Sequence, residues 1–223
     1  MADHPTTPGN GNAGISARLS AKHERKTMQH KRNPKVVIRR QSRGYLPHLE
    51  SPDLIQFITF RLADSLPADF IQTQEKKLQS KLITESEYHY AINLKLDTGT
   101  GESFLRDPEI AKLVCEAILY FNGEKFDLHN WVVMPNHAHL LVKTIGGHTL
   151  SETMHSIKSF SASAANKLLG RKGRFWAPDY FDRFIRGRTH FMNVMRYIDE
   201  NPVRARLCDS PDNYPWGRAG WKG

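Results

Sequence analysis

Cysteine and long apolar runs are the scarcest features of this 223-residue sequence. Its two cysteines, Cys115 and Cys208, are too few for a disulfide framework or a thiolate zinc site, so a reducing, cytoplasmic compartment is expected. No apolar run approaches the roughly 18 residues that cross a membrane, and residues 1–14 contain no apolar stretch typical of a secretory signal. We therefore expect no membrane partner.

Acidic residues are scarce where the positive charge is concentrated. The formal net charge is +9, and residues 15–43 hold ten Lys or Arg against one acid, Glu24. Residues 158–206 form a second basic stretch, with eleven Lys or Arg against four acids. Both stretches suit a polyanion, of which nucleic acid is the commonest. Residues 1–43 also lack hydrophobic periodicity, so we predict a disordered basic tail, either a solvated leader or an arm on DNA, before a domain spanning 44–223.

Hydrophobic patterning predicts a mixture of strands and helices. Predicted strands cover 54–62, 126–134 and 138–144, and a short strand or hairpin lies within 174–186. Predicted helices run from Pro67 to about residue 83, from Pro108 to Gly123, from Thr149 to Gly170, and from Thr189 to Asn201, where Pro202 stops the last one. Residues 84–106 are ambiguous. The strands joined at Pro135-Asn136 must be antiparallel, and no Gly-rich phosphate loop favours a doubly wound sheet, so we predict an α+β fold with helices packed on an antiparallel sheet.

Two histidines interrupt the apolar strand at residues 131–142. Side chains alternate along a strand, so His137 and His139 point to one face while Ala138 points into the core. Imidazoles about 7 Å apart at Cα can bring their ring nitrogens to one divalent cation. The alternative is a polar strand face without a ligand, although two polar rings in an apolar strand need a partner. Two histidines do not fill a coordination shell, so a third ligand has to come from elsewhere.

The last predicted helix offers two side chains on one face. Tyr197 and Asn201 stand at i and i+4. An amide oxygen can complete a two-histidine site, and a tyrosine hydroxyl one turn away can reach an atom bound at the metal. Each residue also has a plainer interpretation, with Tyr197 as a half-buried aromatic and Asn201 as the end of a helix before proline.

Three segments carry a resemblance to a known family. In chain order they are MPNHAHLLV (134–142), WAPDYFDRFIRG (176–187) and YIDENPVRARL (197–207). Together with Tyr214-Pro215-Trp216, they resemble the single-tyrosine HUH transposases, in particular the REP-associated tyrosine transposase branch, where HUH denotes His–hydrophobic–His. The similarity covers about residues 44–217. The small residue between the histidines and the long basic tail depart from the family pattern, and residues 84–106 have no place on it.

The resemblance implies a ferredoxin-like or RRM-like antiparallel sheet with packed helices. It implies that His137 and His139 are metal ligands, Tyr197 is the nucleophile, Asn201 is the third ligand, and the metal is Mg²⁺ or Mn²⁺. It further implies a metal-dependent single-strand DNA endonuclease and strand transferase, associated with the nucleoid, that acts on hairpin or repeat DNA through a 5′-phosphotyrosine. One tyrosine allows one covalent end per site, so complete transposition needs two rounds or two sites, which a homodimer would supply.

Basic and aromatic side chains flank these motifs and are candidates for holding DNA. Phosphate contacts are expected from Lys158, Arg174, Arg183, Arg186 and Arg188, and base stacking from Trp176, Tyr180 and Phe181. A site on a strand face cannot reach a phosphate inside a regular duplex, so single strands or hairpin ends are the expected partners. Two other functions stay open: a non-catalytic nucleic-acid-binding protein derived from a transposase, and an unrelated zinc hydrolase, which is disfavoured because no acidic residue stands at a matching spacing.

Overall fold

The computed structural model describes residues 39–42, 47–50, 54–99 and 101–223. The strands of these residues are β1 (Arg39–Ser42), β2 (Pro47–Glu50), β3 (Ile55–Arg61), β4 (Phe126–Val133), β5 (His137–Thr144) and β6 (Phe181–Phe184). Their α-helices are α1 (Ala68–Gln79), α2 (Glu85–Asp97), α3 (Pro108–Tyr120), α4 (Leu150–Leu168) and α5 (Arg188–Arg204). Short 3-10 helices lie at Phe104–Arg106 and Pro211–Asn213. None of the described helices is long and apolar enough to cross a membrane.

The main sheet has four antiparallel strands in the spatial order β4-β5-β3-β6. Along the chain, the elements that build it run β3-α3-β4-β5-α4-β6, so the first and third strands occupy the centre of the sheet. This is the ferredoxin-like arrangement of a βαββαβ unit. It confirms the predicted α+β fold. The pair β1 and β2 forms a separate two-stranded antiparallel sheet, and α1 with α2 is an insertion between β3 and α3.

Alternation along β5 separates two apolar cores. On one face, Ala138 and the other even-numbered residues of β5 pack with α3 and α4 into the larger core, as the sequence predicts. On the other face, Leu141 packs with Phe57 of β3 and Ile198 of α5. Odd-numbered residues of β5 share that second face. The two histidines of β5 are therefore turned towards α5.

Helix α2 occupies residues that the sequence leaves ambiguous. A capping box starts it, because the Thr84 hydroxyl accepts the backbone N–H of Glu87 while the Glu87 carboxylate accepts the backbone N–H of Thr84. Gly99, at a φ of +69°, follows the last turn. Leu96 is buried to 1% exposure, which anchors that turn on the rest of the fold. Asp97, the final residue of α2, is held in place by these contacts.

Helix α5 extends further than predicted. A stop at Asn201 was expected, but the helix continues through Pro202 to Arg204. Proline removes one backbone donor, and this loss is small in a last turn whose other bonds persist, such as the one from Ala205 N–H to the Asn201 carbonyl at 3.0 Å. Asn201 consequently stays helical, one turn after Tyr197 and on the same face.

Other boundaries differ in smaller ways. Thr189 lies inside the first turn of α5 and does not cap it, because Gly187 precedes the helix. Of the aromatic stretch 174–186, only β6 is a strand. Residues 1–38 of the predicted tail lie outside the described residues, and β1 falls within the stretch predicted to be disordered.

The outer edge of β4 is covered by the segment 214–218, which follows α5 and is called the edge segment below. The backbone N–H of Val133 donates to the Trp216 carbonyl at 2.7 Å, and the N–H of Arg218 donates to the Trp131 carbonyl at 3.0 Å. These bonds satisfy backbone groups of β4 that its partner β5 does not reach.

Candidate active site

His137 and His139 lie side by side at the start of β5. Both side chains are fully buried, and their Nε2 atoms are 3.1 Å apart. Burial lowers the pKa of His137 to about 3, because a charged imidazole would lose its hydration there. Burial, with the neighbouring His137, lowers the pKa of His139 well below its usual value. Both rings are therefore neutral at neutral pH, which is the state that binds a metal.

Neighbouring side chains orient the two rings. Nδ1 of His137 is 2.7 Å from Oδ1 of Asn136, whose amide nitrogen donates to the Leu96 carbonyl at 3.2 Å and so fixes the amide orientation. Because an amide oxygen only accepts, Nδ1 of His137 carries its proton and Nε2 presents a lone pair. Nδ1 of His139 is 2.8 Å from the Thr59 hydroxyl, which can accept or donate. When Thr59 accepts, both Nε2 lone pairs face each other and are suited to share a cation.

A carboxylate that the sequence analysis missed lies against the pair. Asp97 places Oδ1 3.7 Å from Nε2 of His137. One ligand atom from each of Asp97, His137 and His139 lies within 4.8 Å of the others. Burial raises the pKa of Asp97 to about 6, although Arg204 and Asn201 act in the opposite direction. The sequence has no acidic residue at a matching spacing from the histidines, and Asp97 instead comes from the α1–α2 insertion, where spacing along the chain gives no signal.

Tyr197 of α5 faces the same pair. Its ring centroid is 5.3 Å from that of His139, and the Arg204 guanidinium carbon is 5.5 Å from the phenol ring. Burial raises the pKa of Tyr197 above its usual value and the negative charge of Asp97 adds to this, whereas Arg204 and Asn201 lower it. The hydroxyl is thus a neutral phenol at neutral pH. To act as a nucleophile it needs a base or a cation nearby.

Asn201 is buried without a hydrogen bond. Neither of its amide atoms has a partner of good geometry, although the side chain lies close enough to Asp97 and Tyr197 to lower both pKa values. Oδ1 of Asp97 is likewise buried and unpaired. Such orphaned polar atoms are costly unless a partner satisfies them. A divalent cation between Asp97, His137 and His139 would satisfy the orphaned carboxylate oxygen together with the two imidazoles, and mixed nitrogen and oxygen donors fit Mn²⁺ or Mg²⁺.

Three of the predicted DNA-binding residues lie in β6 or where β6 leads into α5. Arg183 of β6 lines a cleft of about 200 Å³ together with Tyr197, Asp97 and Arg204. The two others, Arg186 and Arg188, are exposed where β6 leads into α5. The positive charges of Arg183 and Arg204 in the cleft favour an anion there.

The other two predicted DNA-binding residues, Lys158 and Arg174, line a separate cavity beside α4. The Lys158 ammonium donates to the carbonyl oxygens of Ala177 at 2.8 Å, Pro178 at 2.9 Å and Asp179 at 3.4 Å. Burial lowers the pKa of Lys158 to about 8. A phosphate would have to compete with these carbonyls, so in this structure Lys158 secures the loop before β6.

The three aromatic residues predicted to stack on bases differ in how deeply they are buried. Trp176 is 4% exposed, belongs to the larger core and donates Nε1–H to the Ser161 hydroxyl at 2.9 Å, which assigns it to packing and not to stacking on bases. Phe181 stacks on His89 of α2 with ring centroids 3.5 Å apart. Tyr180 is half-buried. Only the last two rings lie near the surface that a base could reach.

The fold and the site together define an α+β protein whose antiparallel sheet presents a His-x-His pair to a helix-borne tyrosine of the same chain. Residues 105–201 match the family described as IS200-like transposases. This stretch is less than half of the chain, and it contains both histidines, Tyr197 and Asn201. Over these residues the chain is similar to the IS200-like transposase family, in agreement with the resemblance that its motifs carry.

Solved structures with similar folds are distant. The chain is similar to a REP-associated tyrosine transposase bound to a REP hairpin, with 17% identity and a TM-score of 0.46 over 79% of this chain and 80% of the other. It is also similar to a protein from Deinococcus radiodurans R1 described as a transposase, with 15% identity and a TM-score of 0.36 over 72% of this chain and 96% of the other. No curated protein matches the sequence.

Proposed function

We propose that this chain is a metal-dependent single-strand DNA endonuclease and strand transferase that acts on hairpin or repeat DNA through a 5′-phosphotyrosine intermediate. One observation carries the proposal: the Tyr197 ring stands 5.3 Å from that of His139 of the same chain, beside the buried pair His137 and His139. The transposase family matched by residues 105–201 supports chemistry on DNA. The three linked motifs support the single-tyrosine HUH type and its REP-associated branch.

His137 and His139 would hold the metal, with Asn201 as the third ligand that the resemblance implies. The Asp97 carboxylate is a further oxygen donor in reach of the histidines. A divalent ion held there would supply positive charge that stabilises the phosphate in the transition state. Asn136 keeps the ring of His137 in the tautomer that this binding requires.

Tyr197 supplies the nucleophile. As the bond from its Oη to phosphorus forms, the phenol proton moves to the Asp97 carboxylate, whose charge already acts on this hydroxyl. The bond from phosphorus to the 3′ oxygen of the neighbouring nucleotide breaks, and that oxygen takes a proton from water. The products are a 5′-phosphotyrosine and a free 3′-hydroxyl. Because the covalent step retains the phosphodiester energy, another 3′-hydroxyl can reverse it and reseal the strand.

The shape of the site favours single strands. The cleft over Tyr197 measures only about 200 Å³ and the histidines beneath it are fully buried, so a phosphate within a regular duplex cannot reach them. Arg183 and Arg204 would hold the backbone in the cleft, and Arg186 and Arg188 would hold it outside. One chain suffices for one cut, and joining two ends takes a second round or a homodimer.

Transfer of a labelled hairpin oligonucleotide onto the protein tests this function. Incubated with Mn²⁺ or Mg²⁺, the native chain should form a covalent adduct that survives denaturing electrophoresis, and Tyr197→Phe should form none. Tyr90→Phe is the matched control, because Tyr90 lines the same cleft from α2 but is 70% exposed. It should keep the adduct.

Two results would contradict the proposal. An adduct that persists in Tyr197→Phe would assign the nucleophile to another residue. Salt-sensitive binding that is intact in chelator, with no adduct from any hairpin or single strand tried, would instead identify a non-catalytic nucleic-acid-binding protein.

A further inference from the structure

A second cavity, of about 310 Å³, lies directly beside the candidate active site. It is enclosed by α1 and α2, by β3 and by the loop that leads into β6. Thr59 of β3 lines it, and the same hydroxyl meets Nδ1 of His139 at 2.8 Å. His89, Asn93 and Phe181 line both this cavity and the cleft that contains Tyr197. The cavity and the cleft are therefore adjacent and share these three lining residues.

The walls of the cavity are largely aromatic and apolar. Tyr88 and Tyr180 line it, and Phe181 is stacked on His89 at its boundary with the cleft. Ile92 adds an aliphatic surface from α2. Flat rings beside a slot next to a phosphate site are the surroundings in which single-stranded nucleic-acid bases stack.

Charged and amide groups converge on one region of this cavity. Arg61, Glu75 and Asp179 all lie close enough to the Tyr88 hydroxyl for their charges to act on its ionisation. The Arg61 guanidinium is oriented by bonds from Nη1 to the Leu62 and Ala63 carbonyls, both at 3.2 Å. A mostly apolar hollow with a few fixed donors and acceptors is the usual form of a small-ligand site.

We propose that this cavity takes one unpaired nucleobase of the strand whose phosphate is cut at Tyr197. The inference rests on the proposed function and adds a specificity site to it. Glu75 accepts from an exocyclic amino or ring N–H group, Arg61 donates to a ring nitrogen or carbonyl oxygen, and Asn93 can do either. Because the base edge is satisfied by these groups, a strand with the wrong base leaves them unpaired and is disfavoured.

The helices that build this site are outside the stretch that matches the family. α1 and α2 supply Glu75, Tyr88 and Asn93, whereas the matched residues begin at Leu105. Base selection would then be a property of the insertion, while the His pair and Tyr197 supply the chemistry.

Binding of single nucleotides tests the site without requiring cleavage. The probes are dAMP, dCMP, dGMP and dTMP, with deoxyribose 5-phosphate as the base-free control, observed by saturation-transfer NMR on the full chain. Ile71 and Glu75 stand one turn apart on α1 and both line the cavity, so Ile71→Trp should fill it. Gln72→Trp, on the exposed side of the same helix, is the matched control.

At least one nucleotide should bind through its base protons and lose about tenfold or more in affinity in Ile71→Trp, with no change in Gln72→Trp. Glu75→Gln, at a partly exposed position that tolerates the change, should alter the order of preference among the nucleotides. Equal binding of deoxyribose 5-phosphate, or equal effects of the two tryptophan variants, would overturn the inference. An adduct at Tyr197 without base binding would refute this site alone, and base binding without an adduct would refute the proposed function alone.

Discussion

Replacing Asn136 with alanine removes the group that orients His137. The lost contacts are the 2.7 Å one to Nδ1 of His137 and the 3.2 Å one to the Leu96 carbonyl. Asn136 is 1% exposed, so water does not replace the amide. A buried polar group left unpaired costs about 1–3 kcal/mol, so we expect the free energy of unfolding to fall by about 2–4 kcal/mol after partial relaxation.

The same change should weaken metal binding. Without a fixed acceptor at Nδ1, the His137 ring samples the tautomer that puts a proton on Nε2, and second-shell losses of this kind typically cost about 10–100-fold in metal affinity. Isothermal titration of the metal-free protein with Mn²⁺ measures this, with urea unfolding in parallel. Asn136→Asp is the matched variant, because it keeps an acceptor for Nδ1 but loses the donor to Leu96.

Asn136→Asp should therefore recover much of the Mn²⁺ affinity while remaining less stable than the native chain. If Asn136→Ala and Asn136→Asp lose the same amount of Mn²⁺ affinity, the acceptor for Nδ1 is not what matters, and Asn136 acts only as a structural contact. If Asn136→Ala binds Mn²⁺ like the native chain, the assignment of tautomers at the histidine pair is wrong.

Three further predictions follow from the same site and its surroundings. Burial lowers the pKa of His137 from 6.5 to about 3 and lowers that of His139 in the same direction, so the unfolded chain binds more protons than the folded chain below pH 6.5. Stability of the metal-free protein should therefore fall as pH drops below about 6.5, by up to about 1.4 kcal/mol per unit for each histidine, partly offset by Asp97, whose pKa burial raises. His137→Gln should make the pH profile of the urea midpoint less steep. Arg183→Gln should weaken single-stranded DNA binding equally across sequences and reduce the salt slope by about 0.7, measured by anisotropy; an unchanged slope would exclude a phosphate contact. Trp176→Phe should lower the free energy of unfolding by about 1–3 kcal/mol, measured in urea, yet leave DNA affinity unchanged. A loss of DNA affinity in the folded variant would show that Trp176 contacts DNA.

Local patterns were sufficient to predict the elements that carry the chemistry. The alternation around His137 and His139 gave their common face, and the i,i+4 spacing gave a common face for Tyr197 and Asn201, because both rules depend only on the geometry of a strand or a helix. Their convergence across the sheet is a tertiary contact that spacing cannot supply. The family resemblance suggested it, and the 5.3 Å ring separation in the structure is consistent with it.

Asp97 shows where sequence reasoning failed. Residues 84–106 have little hydrophobic periodicity, so neither the helix nor its docking surface could be recognised, although Thr84 and Glu87 form a capping box that is visible in the sequence. Lys158 is a related case. A lysine in a basic stretch suggests phosphate binding, and only the fold shows that carbonyls of the loop before β6 already surround its ammonium.

During synthesis, the edge segment follows all the elements of the sheet whose edge it covers. All four strands of the main sheet, both histidines and Tyr197 leave the ribosome before residues 214–218 do. Until the edge segment is added, the outer edge of β4 has no backbone partner there, and uncovered strand edges pair with strands of other molecules. A variant truncated before residue 214 should therefore keep the four-stranded sheet but expose the edge of β4, and we expect it to aggregate more readily than the native chain.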